Sequence, residues 1–223
     1  MTCAYDEIYL DDAMHTLGEA FDCGMCAEGL SPQVFTAVFC SSPEAGQFER
    51  GVARVVCGMS GDELAWEILA GAGLKPTRVR RQYGSEKSPE YWTGWSLAYT
   101  QWVTGLSFKN LFEAEPLEMM IASYYPLHEA SEDTFAGIIA EKWNNLRGGS
   151  GALRRMRKQN RMTQRALAEA SGVKLRAIQL YEQGELDLTR AAASTVESLA
   201  RILHCDMADL IARPVVLEFD SSR

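Results

Sequence analysis

Apolar residues recur at spacings of three and four along most of this chain, the periodicity of amphipathic helices. Met14, Leu17, Phe21 and Met25 form one such stripe. Ser31-Pro32 pairs an N-cap with a first-turn proline and opens a helix with Val34, Phe35, Val38 and Phe39 turned inward. Ser60 and Glu63 make a capping box ahead of Leu64, Ala65, Ile68 and Leu69. Ser88-Pro89-Glu90 starts a helix that carries Trp92, Trp95, Tyr99 and Trp102 along one face. At helical spacing such a stripe is expected to be core rather than the wall of a ligand pocket. Pro116 and Ser131 open two further helices, the last burying Phe135, Ile138 and Ile139 and ending near Asn145.

The run Gly148-Gly149-Ser150-Gly151 interrupts this pattern and predicts a flexible hinge. Beyond it, a helix from about Ala152 to Asn160 places Leu153, Met156 and Arg157 on one face. Thr163 caps a second helix with Leu167 and Ala168 inward, and Gly172 supplies a positive φ in the turn Ser171-Gly172-Val173. A third helix, Lys174 to Gln183, repeats Val173, Ala177, Ile178 and Tyr181 at core spacing and stops at Gly184. Ser194 or Thr195 caps a fourth helix, which ends near His204 with Val196, Leu199, Ala200 and Leu203 as its stripe. Asp206 caps a short fifth helix holding Met207, Leu210 and Ile211. The expected architecture is all-α: a helical domain over 1–147, a hinge at 148–151, a five-helix domain over 152–213 and a tail over 214–223. The tail, opening Pro214-Val215-Val216, reads either as an edge strand or as an arm for dimer contacts.

Charge sharpens the division. The 223 residues carry a net charge of −8, yet residues 1–147 hold −11 and the remainder +3. Within 151–184 eight cations (Arg154, Arg155, Arg157, Lys158, Arg161, Arg165, Lys174 and Arg176) face only Glu169 and Glu182. A local basic patch steers a chain onto phosphates whatever the overall balance. In the acidic domain, the segment from Lys75 to Lys87 reads as a solvated connection; anion binding or phosphate contact by Arg78, Arg80 and Arg81 is the alternative.

Other chemistry is sparse. No apolar run approaches the roughly 18 residues that span a bilayer. The start MTCAYDEIYLDD is acidic and unlike a signal peptide, so the expected compartment is the cytoplasm. There, the six cysteines are not expected to form disulfides. Cys23 and Cys26 make a CxxC, but Cys40 and Cys57 lack the spacing of a second metal-binding pair. They are read as small core side chains, and no metal or cofactor is expected. No nucleophile with its base, framed carboxylate pair or glycine-rich phosphate loop is present. His128-Glu129 lacks the second histidine of a zinc-protease helix and marks a helix boundary after Pro126. The chain is therefore not expected to be an enzyme.

The segments Thr163-Gln164-x-x-Leu167-Ala168-x-x-x-Gly172-Val173 and Ile178-x-x-Tyr181-Glu182-x-Gly184 resemble, at matching spacing, the Cro/cI-type helix-turn-helix of the XRE family of regulators. The resemblance covers Ala152 to Ile211. It implies a five-helix lambda-repressor-like domain that sets its third helix in a DNA major groove. It further implies that Gln164 bonds a phosphate at the start of the second helix. Lys174, Leu175, Arg176, Gln179 and Gln183 would form the reading face, with Arg176 suited to guanine and Gln179 to adenine. Leu175 is apolar where the family often has a polar residue, and would meet a thymine methyl or sugar atoms. Arg190, in a connection longer than usual for the family, would touch phosphate. Arg157 and Glu182 match positions that often form an internal ion pair.

These readings imply a sequence-specific, dimeric transcriptional repressor bound to a double-stranded operator. Two alternatives stay open. In the first the chain is an antitoxin that autoregulates its operon and neutralises a basic toxin through its acidic N-terminal domain. In the second it is a repressor that senses a small molecule along the Trp92–Trp102 helix.

Overall fold

The computed structural model of the chain describes residues 3–78, 87–147, 149–211, 215 and 217. Among them every regular element is helical. They divide into two compact units whose main segments are Met1–Ala140 and Glu141–Val215.

In the first unit the helices are α1 (Leu10–Asp22), α2 (Pro32–Ser41), α3 (Pro43–Glu49), α4 (Ala53–Val56), α5 (Gly61–Gly71), α6 (Pro89–Thr104), α7 (Phe108–Ala114), α8 (Leu117–Ala122) and α9 (Tyr124–Leu127). The helix α10 (Glu132–Arg147) begins here, and its last turns belong to the second unit. Serines set many of the starts. Ser31, Ser42, Ser60, Ser88 and Ser107 each accept the backbone N–H three residues on, and proline follows three of them. Ser60 and Glu63 complete the expected capping box.

The core is a cluster of phenylalanines: Phe21, Phe35, Phe39, Phe48 and Phe108 are fully buried. Their rings meet mostly edge to face, as Phe39 and Phe108 do at 4.9 Å, the arrangement the ring quadrupoles favour. Helix α1 packs chiefly on α6. A Cβ on Gly94 would lie 2.5 Å from the Leu17 carbonyl oxygen, so only glycine admits that approach. The stripe Met14, Leu17, Phe21, Met25 is buried as expected, whereas Val34, expected inward, is 47% exposed. Phe35 and Phe39 already fill the inner face of α2, and Val34 falls beside it.

The aromatic stripe of α6 also departs from expectation. Its buried side is Tyr91, Gly94, Leu97 and Ala98, and only Trp102 of the stripe is buried. Trp92, Trp95 and Tyr99 are half-buried. The small residues take the inner face because α1 presses so close, which turns the larger rings outward.

The second unit continues with α11 (Gly149–Gln159), α12 (Gln164–Ser171), α13 (Leu175–Gln183), α14 (Ala193–Leu203) and α15 (Met207–Leu210). Where a flexible hinge was expected at 148–151, residues 149–151 form the opening turn of α11; residue 148 lies outside the described residues. Gly151 has a packing reason: a Cβ there would lie 1.7 Å from the Asn145 carbonyl oxygen.

Leu153, Leu167, Ile178, Val196, Leu199, Leu203 and Leu210 close one core. Leu188, in a 3-10 turn between α13 and α14, joins it at 1% exposure. Neither Ser194 nor Thr195 caps α14: it starts from Ala192 with no side-chain cap, and both lie in its first turn. The anchored Leu188 delivers the chain to the helix early. Asp206 caps α15 as expected, with Asp209 bonding back. Of the tail, Val215 is described. The Asn144 amide donates to its carbonyl and accepts from its N–H, both at 2.7 Å. Most of the tail read as strand or arm, Pro214, Val216 and residues 218–223, lies outside the described residues.

Candidate nucleic-acid interface

Thr163 accepts the Ala166 N–H at 3.0 Å and starts α12. Gly172, at φ 74°, ends α12 in the left-handed conformation, and Gly184, at φ 76°, ends α13 likewise. Both positions suit glycine because a Cβ would be strained there. The chain between Gly172 and Leu175 is thus a tight turn between two short helices. Ile178 is fully buried and fixes which face of α13 looks inward. Of the expected reading residues, Lys174, Leu175, Arg176 and Gln183 are exposed and Gln179 is half-buried.

A carboxylate holds the two helices in register. Glu182, on α13, accepts from Arg157 Nε at 2.6 Å and from a second guanidinium nitrogen at 2.9 Å. The same guanidinium also donates to the Met162 carbonyl at 2.7 Å. Gln164, at the first turn of α12, donates its amide to Glu182 at 2.8 Å. Side-chain exposure is 11% for Arg157 and 3% for Glu182, so this is an internal pair, as the resemblance implied. The Gln164 amide nitrogen, which the resemblance sets toward a phosphate, thus gives one of its two N–H groups to Glu182.

Around this network lies a cleft of about 550 Å³ lined by Arg154, Lys158, Thr163, Gln164 and Gln183 among others. Arg154 and Lys158, counted in the sequence only as part of a basic patch, thus stand beside Gln164. Their positions one helical turn apart on α11 were the available signal. Arg190 does not line this cleft; it is exposed and lies 3.7 Å from Asp187.

Burial alone would raise the Glu182 carboxyl, but the bonds from Arg157 and Gln164 and the charges of Arg157 and Arg154 outweigh it and hold it below the ordinary value. A carboxyl that titrates lower folded than unfolded contributes its full stabilisation above the unfolded value, about 4.3. It loses that stabilisation as pH falls through the folded value. The melting midpoint of the C-terminal unit is expected to hold from pH 7 to about 5.5 and to fall below about 4.3. In a Glu182→Gln variant the fall should be shallower. Parallel acid profiles for both proteins would remove the assignment.

Elsewhere, Cys23 is buried as expected, whereas Cys26, also expected in the core, is exposed. Burial, then the neighbouring Asp62, pushes the Cys23 thiol up to about 12, the reverse of a reactive cysteine. Among the described residues no group of three or more His, Cys, Asp or Glu is placed to hold a metal ion. Arg78 is described and exposed, while Arg80 and Arg81 lie outside the described residues. Among the described residues no helix is long and apolar enough to cross a membrane.

Residues 153–210 match the family model described as helix-turn-helix. The C-terminal module is a helix-turn-helix domain of the Cro/cI (XRE) type. The chain is accordingly a DNA-binding regulator of transcription in the general sense that this domain defines. Comparisons with curated proteins and with solved structures find no match.

Proposed function

We propose that the chain is a sequence-specific repressor that acts as a dimer on a near-palindromic operator in the cytoplasm. The observation that carries this reading is the separation of faces on α13. Glu182 and Ile178 hold the helix from inside, leaving Lys174, Leu175, Arg176, Gln179 and Gln183 on the side away from the core. Arg176 and Gln179 read base edges, with Leu175 against a thymine methyl or sugar. Backbone N–H groups at the start of α12, flanked by Arg154 and Lys158, hold a phosphate; Gln164 is oriented there by Glu182, and Arg190 adds a further phosphate contact. Two such modules reach successive major grooves when their recognition helices stand about 34 Å apart.

The test is binding of the purified chain to fragments of its own promoter region. A duplex with two half-sites one helical turn apart should bind at least about 1,000-fold more tightly than random DNA. Failure of every fragment to exceed random DNA would end this reading. The −11 charge of residues 1–147 supports a second one, an antitoxin whose acidic domain holds a basic toxin. Cells that survive expression of the neighbouring gene without this chain would count against it.

A further inference from the structure

The first unit holds a cleft of about 340 Å³ with almost wholly aromatic walls. Tyr91, Trp92 and Trp95 line it from α6, Tyr124 and His128 from α9 and its end, and His15 from α1. The rings brace one another. Tyr91 and Trp95 stack at 6.3 Å, His15 meets Trp95 edge-on at 4.6 Å, and Trp92 meets Tyr124 edge-on at 5.6 Å. His15 Nδ1 bonds the Tyr91 hydroxyl at 2.8 Å. The site is thus held ready before anything enters it.

Among the described residues around it, the charge is mostly negative. Asp11 lies 3.9 Å from His15 Nε2, and Glu129 lies 3.9 Å from His128 Nε2. Glu132 accepts the Trp95 indole N–H at 3.0 Å. Burial, and after it the charges of Glu19 and Asp11, pushes the Tyr91 phenol up to about 12. Against these carboxylates stands, among the described lining residues, the ammonium of Lys87, which sits 3.9 Å from the centre of the Tyr91 ring. Ring faces attract cations through their quadrupoles, and several rings converging beneath a carboxylate rim suit an ammonium group. The cleft already shows that preference with a cation of its own.

We propose that this cleft binds an alkylammonium group, from a free amine or from a lysine of another protein, with Lys87 as the built-in occupant that the ligand displaces from Tyr91. The proposal does not rest on the DNA-binding reading. A planar aromatic anion would also find rings to stack on, but it would face the carboxylates of Asp11, Glu129 and Glu132.

The test follows tryptophan fluorescence and the melting midpoint of the full chain at constant ionic strength. The probes are choline, its neutral isostere 3,3-dimethylbutan-1-ol, benzoate, and N-acetyl-lysine methylamide. Choline or the blocked lysine should give a saturable change and bind about 5-fold or more tightly than the neutral alcohol. Whichever of the two binds tighter identifies the source, a free amine or a protein lysine. Lys87→Gln, at an exposed position, should tighten choline binding several-fold by removing the competing cation. Trp95→Leu should abolish the saturable change, with retention of the first unit's melting transition as the check on folding. Equal affinity for alcohol and choline, preference for benzoate, or unchanged or weaker choline binding by Lys87→Gln would overturn the proposal. The Lys87 arm decides the matter even if Trp95→Leu does not fold.

Discussion

Replacing Arg157 by alanine is expected to destabilise the C-terminal unit by about 3–5 kcal/mol, since it strands a buried carboxylate. The Glu182 side chain is 3% exposed and would keep the Gln164 amide as its one described hydrogen-bond donor, with the charge of Arg154 as its remaining cation. The Met162 carbonyl would lose its guanidinium donor as well. For a unit of this size each kcal/mol moves the midpoint by about 4–8 °C, so the C-terminal transition should fall by at least about 12 °C. Calorimetry on the full chain would register it as a shift in one transition with the other in place. The paired replacement Arg157→Met with Glu182→Leu should recover most of the loss, because it removes both desolvated charges and keeps the volume. A loss under about 1 kcal/mol for the single alanine variant would mean that the pair behaves like an exposed one.

The second large effect concerns recognition. Arg176→Ala combined with Gln179→Ala is expected to weaken binding to the operator by at least about 30-fold, from about 1–3 kcal/mol at each base contact. Binding to random DNA should change little, because the cations proposed to meet phosphate, Arg154, Lys158 and Arg190, remain. The melting curve should also hold, since Arg176 is exposed and Gln179 half-buried. Titrations at several salt concentrations would separate the two kinds of contact. Loss of a base contact lowers affinity with little change in salt slope, whereas loss of a phosphate contact flattens the slope. Equal weakening on operator and random DNA would show that these side chains touch only the backbone.

The second unit was legible in the sequence because its signals agree across levels. Thr163 as cap, Gly172 and Gly184 as left-handed stops, and the apolar repeat ending in Ile178 all name the same helices. The Arg157–Glu182 pair was legible only through the family resemblance, because nothing in a 25-residue separation announces a contact. That Glu182 also bonds Gln164 was not legible at all, since it depends on how two helices are packed. Leu188 was missed because one leucine in a polar connection has no periodicity to reveal it. In the first unit the starts at Ser31-Pro32 and Ser88-Pro89 could be read directly, whereas that at Ser42-Pro43 was missed. The aromatic face of α6 could not be placed correctly, because Gly94 and Ala98 are a weak signal by hydrophobicity and a decisive one by size. The helical turn at 149–151 was not legible for a related reason: glycine permits close approach as well as freedom, and here Gly151 meets a carbonyl.

The division of labour on α13 bears on how such a regulator changes over generations. The residues that keep the helix in place, Ile178 and Glu182, answer to the protein's own interior. Those proposed to touch DNA answer only to the operator. Duplicated copies are therefore free to drift toward new target sequences by exchanging Leu175, Arg176 or Gln179 one at a time, each step changing what is recognised while the domain goes on folding. A lineage constrained in this way retains its architecture and diversifies its targets.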